Sequence, residues 1–260
     1  MINNETIWIT GASSGIGRAT ALRLAKQGNK IIASGRNSDA LNALAKKSDN
    51  IHPLICDLAE DKTENLYLSL KAITPHLDRI ILSAGDCKYL DPHQEDWSCI
   101  EHIMRINFYG STKAIQASLP LLQQSDHGHI VGITSMASMA PFTQAEAYGA
   151  SKAAFSYFLS ALRIDLKPQN IDVTDIMPGF IDTPLTQKND FSMPFLLSVE
   201  DASIRIIKAI EKRKLTAAFP KRLFVLFKCL SWVPSIWANI NSPKDIALDA
   251  KDKGKETKKC

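Results

Sequence analysis

The run Thr6-Ile7-Trp8-Ile9-Thr10 passes directly into Gly11-Ala12-Ser13-Ser14-Gly15-Ile16-Gly17, and that into Arg18-Ala19-Thr20-Ala21-Leu22-Arg23-Leu24-Ala25. The first segment is short and apolar, and the last places apolar residues at helical spacing. Strand, glycine turn and helix therefore follow one another without a gap. Few folds accept that order. Glycines let the backbone approach a pyrophosphate, and the helix N-terminus offers unpaired N–H groups with partial positive charge. Gly11, Ser13, Ser14, Gly15, Ile16 and Gly17 are thus candidates for holding a dinucleotide.

The remaining chain keeps alternating strands with helices. Lys30-Ile31-Ile32-Ala33-Ser34 reads as the second strand and ends at Gly35-Arg36. A dinucleotide without a 2′-phosphate usually meets a carboxylate near this point, whereas a guanidinium can grip a phosphate through paired hydrogen bonds. Arg36 therefore favours NADP(H) over NAD(H), and Ser38 is expected to cap the next helix. Ile51 to Cys56 reads as the third strand, with its proline expected near one end. Asp57 and Leu58 follow, and Asp57 can accept from an adenine amino group, cap the next helix, or do both. A helix over about 61–73 leads to the strand Arg79-Ile80-Ile81-Leu82 and to Ser83-Ala84-Gly85, small enough for a ring or sugar to pack on. A long helical region over about 94–123 contains Asn107, mildly unfavourable inside a helix.

The apolar strand from Gly128 to Thr134 ends at Ser135, and a further helix carries Tyr148 and Lys152 to about Leu166. Ile171 to Ile176 is a strand that stops at Met177-Pro178-Gly179. Phe180, Ile181, Asp182, Thr183 and Pro184 continue as a loop able to close over a nicotinamide. Ser198 starts another helix with acidic residues in its first turn, and 215–220 reads as the last strand. The pattern predicts an α/β fold, a Rossmann-like doubly wound parallel sheet in a single domain over 1–220.

Tyr148 and Lys152, four residues apart on a helix, share a face and lie ~6 Å apart along its axis. A free phenol has a pKa of about 10. An ammonium ~4 Å away at an effective dielectric of ~20 favours the phenolate by up to about 4 kcal/mol before desolvation is counted. The expectation is a tyrosine brought down towards neutrality, able to lend and retake a proton, with the Ser135 hydroxyl beside it.

Composition narrows the partners. The chain has 260 residues, 45 % hydrophobic and 22 % charged, with a net charge of +4, which suits a globular domain and gives no reason to expect nucleic acid. The five scattered cysteines argue against a disulfide framework or a zinc site and fit a reducing compartment. No leader pattern precedes the first strand, so a cytoplasmic location is expected.

Residues 223–237 are the most apolar stretch, preceded by Lys212, Arg213, Lys214, Lys221 and Arg222. The stretch is short for a span of ~20 residues and contains Lys228 and Pro234. Three roles are open to the helical segment 221–241: it caps the cleft, packs against a second subunit, or lies peripherally on a membrane through 221–240. Residues 242–260 are polar and lysine-rich, expected to be mobile.

Taken together, the chain resembles the short-chain dehydrogenase/reductase family over about 5–220. Thr10-Gly11-x-x-x-Gly15-x-Gly17 matches the cofactor loop of the family's small, single-domain branch. Asn107, Ser135, Tyr148 and Lys152 fall where its catalytic tetrad lies, and Pro178-Gly179 and Thr183 match its nicotinamide-side motif. One departure is Leu82-Ser83-Ala84-Gly85, where the family often has Asn-Asn-Ala-Gly; this bears on local stability more than on catalysis.

The resemblance implies an enzyme acting on CH–OH groups, by carbonyl reduction or the reverse. Tyr148 would be the general acid/base, Ser135 a hydrogen-bond donor to the same oxygen, Lys152 the holder of the nicotinamide ribose, and Asn107 part of a water relay. The substrate is expected to be a small hydrophobic carbonyl or alcohol bordered by Phe142, Phe180, Phe191, Met193 and Phe195, and the protein a homo-oligomer (dimer or tetramer). Two other readings use the same residues: an NADP(H)-binding sensor or scaffold without turnover, and a membrane-peripheral lipid- or steroid-type dehydrogenase.

Overall fold

Ile7 and Ile9 face one side of a sheet and Trp8 the other, and all three are fully buried. A strand apolar on both faces needs helices on both sides, and the computed structural model, which describes residues 2–188 and 192–242, has that arrangement. Seven strands, β1 (Thr6–Thr10), β2 (Lys30–Gly35), β3 (Ile51–Ile55), β4 (Arg79–Leu82), β5 (His129–Ile133), β6 (Asp172–Pro178) and β7 (Thr216–Phe219), form one sheet in the order β3-β2-β1-β4-β5-β6-β7. Every pairing is parallel. The doubly wound Rossmann-like architecture expected from the alternation is the one found.

Helices α1 (Gly15–Lys26), α2 (Ser38–Ala45) and α7 (Val199–Glu211) supply the apolar cluster on one face. On the other face lie α3 (Thr63–Ile73), α5 (Ser111–Leu122) and α6 (Glu146–Leu166). Between α4 (Ser98–Met104) and α5 the helix widens into one π turn, Arg105–Gly110, which contains Asn107. The C-terminal helices α8 (Lys221–Ser231) and α9 (Pro234–Asn241) build a third cluster against Met136, Ala140 and Met177.

Several local expectations need correction. Asn37, not Ser38, caps α2, its side chain accepting from the Ala40 N–H. Pro53 sits in the middle of β3 rather than near an end, tolerated because β3 is the sheet's edge and pairs only with β2. The long helical region starts at Ser98, since Asp91 and Asp96 carboxylates turn the chain before it by accepting from His93 and Ser98 N–H groups. Phe191 and the tail beyond 242 lie outside the described residues.

Candidate active site

The strand order reverses between β1 and β4, and the crevice opened there at the carboxyl ends of the strands is where such sheets bind ligands. Thr10 Oγ1 stitches the two strand ends together, accepting from the Ser83 and Ala84 N–H groups at 3.2 Å each. Gly11 has φ +66°, and a Cβ there would lie 2.7 Å from Ala84 Cα. No other residue fits. A Cβ on Gly17 would lie 2.4 Å from the Gly11 carbonyl oxygen, so this glycine lets α1 close onto the loop. Ser14 caps α1 in backbone conformation only, with no side-chain hydrogen bond and no acidic residue in the first turn. The N–H groups at the start of α1 therefore carry no side-chain acceptor and suit an anion.

A cavity of about 300 Å³ runs over these strand ends. It is lined by Gly11, Ser13, Ser14, Gly15 and Ile16 of the loop, by Arg36, Asp57 and Leu58 after β2 and β3, and by Ser83, Ala84 and Gly85 after β4. Ser135, Tyr148 and Lys152 close one part, with Pro178, Gly179, Ile181 and Thr183 opposite. Of the catalytic and cofactor-binding residues singled out in the sequence, Gly17 and Asn107 alone are not in the lining, and both stand directly behind it; of the residues expected to border the substrate, Phe142, Phe180, Met193 and Phe195 are also outside it. Arg36 is 65 % exposed and 3.9 Å from the Asp57 carboxylate, a loose pair that leaves the guanidinium available. Asp57 does not cap α3, whose N-cap is Lys62; its Oδ1 accepts from Ala59 N–H and caps the turn before that helix.

The Ser135 hydroxyl stands beside the Tyr148 phenol, near enough to favour its charged form. Ser135 is fixed by its own neighbours, its Oγ accepting from Ala137 N–H at 3.1 Å. Burial pushes the Tyr148 phenol up to about 12, the nearby Cys87 acts in the same direction, and the Ser135 hydroxyl pulls back. Lys152 Nζ donates to the Ile133 carbonyl at 2.9 Å and lies 5.8 Å from the centre of the Tyr148 ring. Burial lowers its pKa to about 8, against the opposing pull of Asp175. The expectation that the ammonium draws the phenol towards neutrality is therefore not met. Burial governs the phenol, and the lysine gives its hydrogen bond to the main chain.

Asn107 is fully buried. Its Nδ2 donates to the Asp86 carbonyl and to Ser151 Oγ, each at 2.9 Å, and its Oδ1 accepts from Asp86 N–H at 2.8 Å. Those bonds lock the chain after Gly85, where an added Cβ would meet Asn107 Oδ1 at 3.3 Å and Lys152 Nζ at 3.4 Å.

Three groups were not foreseen. Ser151 holds Asn107, Cys87 stands close enough to Tyr148 to affect its charge, and Asp175 is a buried carboxylate accepting from Thr134 and Ser156 hydroxyls at 2.5 Å each. Burial raises the Asp175 carboxyl pKa. An acid in the middle of a strand otherwise buried was the one readable signal among them. On the apolar side, Phe142 stacks edge-on with Phe180, Phe227 and Trp237 at 6.5, 5.3 and 5.4 Å. Phe195, by contrast, is half exposed, and Met193 is partly buried.

Known proteins share this arrangement. The family model described as short chain dehydrogenase matches residues 5–192. An uncharacterized oxidoreductase of Myxococcus xanthus is 33 % identical over 236 residues, covering 89 % of this chain and 93 % of its own. An NADP-dependent 3-hydroxy acid dehydrogenase of Shigella flexneri is 33 % identical over 181 residues, 67 % of this chain and 72 % of its own. Among solved structures, a protein of Escherichia coli CFT073 described as a short chain dehydrogenase complexed with NADPH superimposes with a TM-score of 0.76 at 26 % identity, covering 84 % of this chain and 97 % of that one. The chain is an oxidoreductase and belongs to the short-chain dehydrogenase/reductase family.

Proposed function

We propose that the protein uses NADP(H) to reduce the carbonyl of a hydrophobic ketone or aldehyde to an alcohol, or to run the reverse reaction. The observation that carries this reading is the convergence of Tyr148, Ser135 and Lys152 on one part of the glycine-lined cavity, with the Lys152 ammonium 5.8 Å from the Tyr148 ring centre. The cavity suits a dinucleotide. Its floor has no room for a Cβ at Gly11, the start of α1 is free of acidic side chains, and Arg36 stands free enough to take a phosphate. Relatives that bind NADPH or use NADP support the same choice of cofactor.

The dinucleotide, when bound, supplies or accepts the hydride. The protein's own groups handle the proton. A phenol held near 12 stays protonated throughout the physiological range, so Tyr148 is an acid ready to protonate a carbonyl oxygen. Ser135, beside the same hydroxyl, can donate to that oxygen and steady its charge. Lys152 keeps a positive charge below about pH 8, which favours any negative charge developing beside the phenol. The Asn107 bonds leave one Oδ1 lone pair and the widened π turn's main chain for a proton relay behind the lysine. Met136, Met177, Phe142 and Phe180 form an apolar cluster next to Pro178 and Gly179 of the lining, which supports a hydrophobic substrate.

The test is NADPH oxidation across a panel of hydrophobic ketones and aldehydes. Turnover is expected, with kcat falling about 10³-fold in Tyr148→Phe while NADPH binding is kept. Binding without turnover on every substrate, unaltered in that variant, would instead support a sensor.

A further inference from the structure

The two C-terminal helices turn one face to the protein and leave the other uncovered among the described residues. Leu223, Phe227 and Trp237 are buried and pack with Met136 and Met177. Leu223 lies so close to Gly179 that an added Cβ would be 2.8 Å from its Cδ2, so α8 packs directly behind the Gly179 part of the candidate site's lining.

The opposite face carries Val225, Leu226, Trp232, Val233, Ile236 and Ile240, with Trp232 76 % and Ile240 59 % exposed. Lys221, Val225, Lys228 and Trp232 follow one another at helical spacing, with Arg222 adjacent. Lys228 Nζ reaches over the Phe224 ring at 5.9 Å, so its stem covers apolar surface while the residue as a whole stays exposed.

Charge decides what could cover this face. Residues 221–242 contain three basic side chains and no acidic one. A second copy of the same surface would set like charges against each other, whereas an anionic surface complements them. Basic residues mixed with a tryptophan and branched aliphatics suit a headgroup layer. Among the described residues no single helix is long and apolar enough to cross a membrane, and α8 and α9, which pass only as a pair, are bent by 115°. Such a pair can lie in an interface better than span it.

We propose that α8 and α9 dock the protein on a lipid bilayer bearing anionic headgroups, with Trp232, Ile236 and Ile240 entering the headgroup–acyl boundary and Lys221, Arg222 and Lys228 engaging the headgroups. The helix packed behind Gly179 is then held at the lipid surface.

Flotation of the full chain with vesicles one-third phosphatidylglycerol in phosphatidylcholine, against phosphatidylcholine alone, tests the proposal. Partitioning is expected to be at least about tenfold stronger on the anionic vesicles and to weaken as salt is raised. The exposed-face variants Lys221→Glu/Lys228→Glu and Trp232→Ser/Ile236→Ser are each expected to lower it about tenfold, with melting curves matching the parent as a check on folding. Absence of flotation by the parent, or unaltered flotation by either variant, overturns the proposal. So does self-association in the absence of lipid that Trp232→Ser/Ile236→Ser abolishes, which would assign the face to a second copy. No turnover is read, so failure here leaves the oxidoreductase reading untouched.

Discussion

Lys152 pays for its position beside Tyr148 with part of its charge. Its pKa is near 8 in the folded protein against 10.5 for a free lysine. Between those values the unfolded chain binds a proton that the folded chain does not, so stability rises with pH across that window. Tyr148, raised from 10 to about 12, acts the other way, since its folded form keeps a proton the unfolded form loses, but only above about pH 10. Without cofactor, the parent is therefore expected to gain up to about 3 kcal/mol from pH 8 to 10 relative to Lys152→Met, read from paired denaturation curves. Parallel curves would mean that the amine keeps its water. Arg36 belongs to the same scale. Arg36→Ala is expected to weaken NADPH binding about tenfold or more while leaving NADH within about twofold, measured by titration; equal losses would place the guanidinium away from the phosphate.

At the scale of elements, the π turn is the feature on which the site's rear depends. Widening the helix at Arg105–Gly110 brings Asn107 to the Asp86 main chain and to Ser151, and so joins α6 to the segment after β4. Asn107→Leu removes these bonds and leaves the partly buried Asp86 N–H without its acceptor. A loss of about 1–3 kcal/mol is expected, seen as a melting point several degrees lower, together with reduced kcat. An unchanged melting point would show that water replaces the side chain. The asparagine in a helix was a readable oddity, but the widening itself depends on partners 21 and 44 residues away. Pro53 was harder to place, because edge or centre is a property of the whole sheet.

For the whole molecule, α8 and α9 complete the core on the site's apolar side. Cutting the chain after Pro220 would uncover Met136, Met177 and Phe142, and would lose the burial of Leu223, Phe227 and Trp237. At about 1.5–3 kcal/mol per buried side chain, the melting point is expected to fall by on the order of 10 °C, with increased binding of a hydrophobic dye. If neither changes, the two helices are an appendage and not part of the core.

The order of strands and helices, the glycine turn and the spacing of Tyr148 and Lys152 were legible in the chain because they rest on local rules: periodicity, turn chemistry and the rise of a helix. Tertiary structure alone decided how the charges settle. Whether a phenol is drawn down by an ammonium or pushed up by burial depends on what surrounds both, and the residues doing that here, Ile133, Cys87 and Asp175, lie far apart in sequence. It also decided which face of the C-terminal helices stays uncovered, since an apolar stretch fixes its own helical pattern but not the surface it packs against.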